Sequence, residues 1–306
     1  MAMELLATTG DAFVRVGAHT RLQDSGAQCL ALDGDTVYVG CRGRGLKRSA
    51  DGGDTFEDVP LPEPDVFSVA VSTADGAVYA GTEPSRLFRS RDGGESWEEL
   101  VALQEIPSRP DWSFPPRPWT SHVRWIAPSP HDPEVVLVGI ELGGLMRTED
   151  GGASFSDHRP EAARDVHCLA WHPSARGRAY EAGGDGAAWS RDGGRSWDKA
   201  DAGRDRRYAW ALAVDTADPD RWFVSGPPAR SRHTGAARPT RRSTAGRAPA
   251  PGRRSRARST PTSTRLRPDK ASSSPVWATA RCSRATTAAR AGANWASGSA
   301  RSPRWP

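Results

Sequence analysis

Over the first 225 positions, apolar residues alternate with small and polar ones in short runs that return at regular intervals. Cys29-Leu-Ala-Leu32, Ser68-Val-Ala-Val71, Arg124-Trp-Ile-Ala127, Cys168-Leu-Ala-Trp171 and Ala211-Leu-Ala-Val214 share one pattern, and their period-two alternation predicts strands. A second β-rich run follows in Thr36-Val-Tyr-Val-Gly40, Ala77-Val-Tyr-Ala-Gly81, Val135-Val-Leu-Val-Gly139 and Asp220-Arg-Trp-Phe-Val224. Between first and second runs stand Asp33-Gly34, Asp75-Gly76, His131-Asp-Pro133 and Asp218-Pro219, residues that favour tight reversals. The chain therefore reads as all-β, built from antiparallel hairpins.

After the third run of a set comes an octet that occurs four times: Ser49 to Phe56, Ser90 to Trp97, Thr148 to Phe155 and Ser190 to Trp197. Its fixed positions are Ser49, Asp51, Gly53 and Phe56; Ser90, Asp92, Gly94 and Trp97; Thr148, Asp150, Gly152 and Phe155; Ser190, Asp192, Gly194 and Trp197. A carboxylate can accept the N–H groups of a tight turn, glycine supplies positive φ, and the closing aromatic can bury between sheets. The four Asp residues are spaced by 41, 58 and 42 positions, which brackets the roughly 40 to 45 residues of a four-stranded propeller blade and leaves one insertion in the long interval. One blade cannot bury both its faces, so the repeat predicts blades stacked round an axis, six or seven in the intact form. Leu5 to Arg15 reads as strands that complete a blade with the other end of the chain.

The octet resembles the Asp-box (BNR) repeat of sialidases, sortilin-type receptors, xyloglucan-cleaving propellers and photosystem-assembly propellers, with Ser/Thr-x-Asp-x-Gly-x-Ser/Thr-Trp/Phe matched throughout. That resemblance implies that each box caps the hairpin between the third and fourth strands of a blade, away from the ligand face, and that the protein is glycosyl-hydrolase-like. Sialidase catalysis is not implied in full. The Phe/Tyr-Arg-Ile-Pro segment that precedes the first sialidase box is absent, and no Tyr with a Glu partner can be placed at the channel. Whether the chain is an enzyme stays open, because the box reports fold alone.

Composition changes the picture at one place. Residues 226–306 hold seventeen Arg, Lys270 and a single acid, Asp269, whereas residues 1–225 carry 36 acidic against 24 basic residues. From Gly226 the alternation stops and Arg, Ala, Pro and Ser dominate, a composition that predicts disorder. Taking the third base of each degenerate codon with the first two of the next makes blade motifs reappear. Arg284 to Gly292 then permits Ser-Asp-Asp-Arg-Gly-Glu-Ser-Trp, and Arg242 to Gly246 permits Leu-Tyr-Arg-Trp. The expected organisation is a propeller over 1–225 and an out-of-frame translation of its remaining blades over 226–306. A basic tail on nucleic acid is the other reading of this segment, and the acidic body argues against it.

The loops that lead into first strands and those that join second to third strands share one face, where propeller ligands sit. The long insertion belongs to that face, so a ligand site lined by the 101–124 loop is expected, with Trp112, Arg117, Trp119, His122, Arg124, His167 and Tyr208 as candidate contacts. Asp65, Trp210, Arg42, Arg44, Glu83, Arg86 and Asp185 occupy comparable loops. Glu141 and Asp165 are the candidate acid and base, although solvated turn carboxylates would look the same in sequence. Aromatic platforms with Arg suit a carbohydrate, a small anionic ligand or a peptide. A non-catalytic peptide-binding or assembly-factor propeller is the alternative to a glycosidase.

No cofactor and no metal are expected, since no ligand spacing joins the histidines and Cys29, Cys41, Cys168 and Cys282 form no Cys-x-x-Cys pair. These few cysteines read as free thiols. The N-terminus lacks a basic segment followed by an apolar stretch, and no apolar run approaches the length of a membrane span. A monomeric, cytoplasmic protein with no membrane partner is the expectation.

Overall fold

The computed structural model describes residues 4–114, 120–204, 207–226, 243–247 and 277–281, the last two segments as backbone. Six antiparallel sheets follow one another along the chain. The second is Ala27–Asp33, Thr36–Cys41, Gly45–Ser49 and Glu57–Val59; the third is Val66–Val71, Val78–Thr82, Leu87–Ser90 and Glu98–Glu99. The fourth holds Val123–Pro128, Val136–Ile140 and Gly144–Thr148, extended by a bridge from Arg147 to Ser156. The fifth is Val166–Trp171, Ala179–Gly183, Gly186–Ser190 and Asp198–Lys199. The sixth joins Ala211–Val214 and Arg221–Ser225 to Ser243–Arg247. The first strands of sheets two to six each lie against the next, so the fold is a β-propeller with four-stranded blades.

The first sheet joins the two ends of the chain. Glu4–Thr8, Phe13–Arg15 and His19–Arg21 form its outer strands, and Trp277–Arg281 pairs with Glu4–Thr8 as its first. Both Trp277–Arg281 and Ser243–Arg247 fall in the segment whose composition predicts disorder, and both are paired as strands. Backbone pairing asks little of side chains, which is how an Arg/Ala/Ser-rich sequence can satisfy it. The remainder of 227–306, with the regrouped octet and Cys282, lies outside the described residues.

The apolar clusters sit between sheets. Leu6 and Phe13 meet Val37 and Val39; Tyr38 and Leu46 meet Val66 and Val78; Leu137 and Leu145 meet Val166 and Leu169; Tyr180 and Trp189 meet Trp222 and Val224. Burial on both faces explains why second strands read as continuous apolar runs. Sheets three, four and five have second strands buried along their whole length. In the sixth sheet burial alternates over Arg221–Ser225 and Phe223 is 41% exposed, as for a blade with one face uncovered.

Each octet is a closed hydrogen-bonded turn between third and fourth strands. The Ser90 hydroxyl donates to Asp92 Oδ1 at 2.7 Å and accepts the Gly94 N–H, while Asp92 takes the Ser96 N–H at 2.9 Å and the Ser96 hydroxyl. Asp51, Asp150 and Asp192 repeat this set. Hydrogen bonds from Thr55 and Ser96, side chain then backbone, hold the Asp51 and Asp92 carboxyls well below the usual range; those from Ser154 lower Asp150 to about 2. The turn backbone then meets the preceding sheet. Gly94 has φ 100° and Gly152 φ 93°, and a Cβ on Gly152 would stand 2.7 Å from Leu100. Guanidinium groups of the preceding third strand complete the link: Arg48, Arg89 and Arg147 donate to the carbonyls of Gly93, Gly151 and Gly193 at 2.7, 2.6 and 2.8 Å.

A further close approach lies nearer the axis. A Cβ on Gly139 would stand 2.4 Å from Val166 Cγ1 and 3.0 Å from Val166 Cβ, so the valine of the next first strand seats on bare backbone. Gly139→Ala is expected to lose about 1–3 kcal/mol by overpacking. Urea unfolding should show a lower midpoint at unchanged slope, with part of the loss recovered in a Gly139→Ala, Val166→Ala double variant.

Among the described residues no helix is long and apolar enough to cross a membrane. Cys29, Cys41 and Cys168 are free thiols, and burial pushes the Cys168 thiol up to about 12.

Candidate functional site

Each first strand of sheets two to five begins with the same irregularity. Register slips between Ala27 and Cys29, Val66 and Ser68, Val123 and Trp125, and Val166 and Cys168. The skipped residues are Gln28, Phe67, Arg124 and His167, and by sequence alignment the sixth sheet offers Trp210 at this place. A bulge leaves one residue without a ladder partner and re-aims its side chain, here at the end of the channel opposite the octets. Those side chains and their neighbours reach across to the next blade: Gln28 donates to the Val66 carbonyl at 2.7 Å, Ser68 to that of Val123 at 2.7 Å, and His167 Nδ1 to that of Ala209 at 2.7 Å.

Around this mouth runs a continuous set of ionisable groups. Arg42 faces Glu83 at 3.9 Å, and Glu83 also accepts the Thr120 hydroxyl at 2.7 Å. His122, fully buried, stacks on Phe67 with centroids 3.7 Å apart; its Nε2 lies 2.6 Å from Glu141 Oε2 and its Nδ1 3.7 Å from Glu83. Arg124 Nε stands 3.7 Å from the same Glu141 oxygen. Burial acts to raise the Glu141 carboxyl, but the His122 hydrogen bond and the charge of Arg124 outweigh it and hold the group below its ordinary value. Asp65 goes the other way, raised chiefly by burial.

Next to Glu141 come Asp165 and His167. The His167 ring is fully buried and stacks on Trp210 at 4.6 Å, with Tyr208 at 5.0 Å. His167 Nε2 lies 3.3 Å from Asp165 Oδ2, and one ligand atom from each of Glu141, Asp165 and His167 falls within 4.8 Å of the others. These are the residues that could hold a metal ion. The Tyr208 hydroxyl is raised by burial first, then by the charges of Asp165 and Glu141.

The structure thus brings together Glu141, Asp165, His167, His122, Arg124 and Tyr208 with Trp210 and Glu83 of the comparable loops, and adds Phe67. Trp112 is corrected. It is 5% exposed, packs in the apolar cluster with Leu103, Ile106 and Ile140, and donates its indole N–H to the Ser108 hydroxyl at 3.1 Å, so it holds the insertion down and offers no platform. Arg86 is paired with Glu63 and Glu99. Arg117 and Trp119 lie outside the described residues.

A separate cavity of about 420 Å³ opens on the octet side between sheets four and five, beside Arg147, Arg176 and Arg195. Its guanidinium groups are committed to structure: Arg147 to Gly193 O and Glu149, Arg195 to Glu149, Arg176 to the His131 carbonyl. It is a seam between blades.

No protein-family model and no curated protein matches the chain. Among solved structures it is similar to an ancestral GH74 enzyme, with TM-score 0.53 and 18% identity over 67% of this chain and 28% of that one. It is also similar to the extracellular domain of a protein from B. thetaiotaomicron described as a one component system, with TM-score 0.50 and 14% identity over 70% of this chain and 28% of that one. The chain spans just over a quarter of the length of either. At such identity the likeness is one of fold, and it agrees with the propeller built from these sheets.

Proposed function

We propose that this propeller, with turns of the Asp-box kind, binds a carbohydrate or small anionic ligand at the channel mouth opposite those turns. The observation that supports the reading is the convergence of Arg124, Glu141, Asp165 and His167 beside the rings of Tyr208 and Trp210. Ring faces stack on the apolar faces of sugars, and a guanidinium pairs with a carboxylate. Few polar groups converging among aromatic ones are the usual make-up of a small-molecule site.

Glycoside hydrolysis is the second reading, favoured by one distance. Oxygens of Glu141 and Asp165 within 4.8 Å fall near the roughly 5–5.5 Å of retaining glycosidases and short of the wider inverting spacing. Glu141, held below its ordinary value, suits nucleophile or base and not acid. Tryptophan emission of the full chain, titrated with neutral and acidic oligosaccharides, is expected to change on binding, with affinity falling about tenfold in Arg124→Ala, as for a lost charged contact. Turnover of chromogenic glycosides that disappears in Glu141→Gln or Asp165→Asn would select the hydrolase. Silence in both assays with every sugar rejects both readings.

A further inference from the structure

We infer that Glu141, Asp165 and His167 form a site for one divalent first-row transition cation, whose open coordination positions face the channel mouth. That the mouth's ligand completes the coordination rests on the binding reading above; the cation site itself does not.

The inference starts from a carbonyl. Ala209 O can only accept, so the proton of the 2.7 Å contact is on His167 Nδ1. With that nitrogen committed to Ala209, Nε2 is the ring atom left to face Asp165 Oδ2, 3.3 Å away, and it is buried with no hydrogen-bond partner. A ring nitrogen and a carboxylate oxygen buried side by side with no hydrogen bond between them are both satisfied by a cation that they share. Glu141 adds a third donor within 4.8 Å. Tetrahedral zinc, with bonds near 2.0–2.2 Å, sets its ligand atoms roughly 3.4 Å apart; His167 and Asp165 already stand at that spacing, and Glu141 has to move in to join them.

Charge and support agree. Four carboxylates, Asp65, Glu83, Glu141 and Asp165, meet two guanidinium groups, Arg42 and Arg124, around the mouth, an excess of acid that a dication neutralises. Metal-bound imidazoles commonly donate their other N–H to a carbonyl or carboxylate, as His167 does to Ala209, and His122 orients the Glu141 carboxylate in the same outer role. Stacking on Trp210 fixes the imidazole plane. One imidazole with two carboxylates favours zinc or manganese over magnesium or calcium, and three protein donors leave at least one position open, as in catalytic zinc sites.

The test needs no sugar, so its failure is separable from that of the binding reading. The full chain, stripped with chelator, is titrated with Mn(II), with Zn(II) as competitor. One ion per chain is expected, displaced by zinc, with affinity at least tenfold weaker in Asp165→Asn and in His167→Gln while circular dichroism stays unchanged. Pulsed EPR of the Mn(II)-loaded wild type should detect a directly bound imidazole nitrogen, a result independent of whether the variants fold. Absence of 1:1 binding by either ion, binding unchanged in both variants, or a manganese signal without nitrogen coupling overturns the proposal.

Discussion

Glu181→Gln is expected to abolish a loss of stability on the order of 4 kcal/mol that the native chain suffers between about pH 4.5 and pH 8. Glu181 lies in the second strand of the fifth sheet, fully buried, with Oε1 accepting the Ala163 N–H at 2.7 Å and Oε2 without a partner. Burial, which the charge of Lys199 only partly offsets, pushes its carboxyl up to about 8; Asp185 and Asp201 add to the rise. In the unfolded chain the group ionises near 4.5, in the folded chain near 8. Below the lower value both states are protonated and the contribution is fully present. As pH climbs, the unfolded state gives up its proton first, so unfolding becomes progressively easier until the folded carboxyl also ionises. Glutamine keeps the acceptor for Ala163 and cannot ionise. Its amide donor, buried without a partner, costs about 1–3 kcal/mol at every pH, which shifts the curve without tilting it. Urea unfolding from pH 4.5 to 8.5 should therefore show the variant gaining on the native protein as pH rises. Parallel profiles would mean that Glu181 is ionised in the fold.

The contrast between Glu181 and Asp92 shows what a sequence can disclose. Every donor that lowers the Asp92 carboxyl comes from residues 90 to 96, so the turn is legible in eight letters, and its repetition sets the blade period. The first and second strands were legible for a related reason, since burial between sheets imposes continuous apolar runs such as Val136–Ile140. Glu181 looks like one more strand residue, because its burial is made by the fold of sheet five and the loop at Ala163. The candidate site was legible in part. Face and loops placed Glu141, Asp165, His167 and Tyr208 together, but no local spacing fixes a 24-residue separation between two carboxylates to within 4.8 Å. A signal for the bulge positions did exist: Gln28, Phe67, His167 and Trp210 each stand one place before their strand run, and Arg124 does so once its run is aligned with the others as Trp125-Ile-Ala-Pro128. Trp112 misled because an aromatic in a long insertion suggests a platform, whereas Leu103 and Ile106 in the same insertion had already supplied the core it joins.

Adding one base near the codons for Val224 to Pro228 is expected to convert the chain into a propeller that unfolds in one cooperative transition, stabilised by on the order of 5 kcal/mol. The sixth sheet carries the reason. Second strands of sheets three to five are buried on both faces, but Arg221, Phe223 and Ser225 are exposed in the sixth, on the face that a following blade would cover. The break in sequence falls directly after that strand, where acidic and apolar residues give way to arginine and proline. Regrouped codons restore a strand across Arg242 to Gly246, overlapping the observed strand Ser243–Arg247, and an octet across Arg284 to Gly292. An altered frame explains both the exposed face and the recovered motifs, whereas a functional basic tail explains neither. Covering Phe223 and its neighbours should also remove an exposed apolar face that invites association. The prediction is checked first by a fresh nucleotide read across these codons, then by thermal unfolding and sedimentation of the frame-restored chain beside the present one. An unchanged read, together with monomeric and cooperative unfolding of the chain as it stands, would leave the sixth face open by design and the arginine-rich segment a genuine part of the protein.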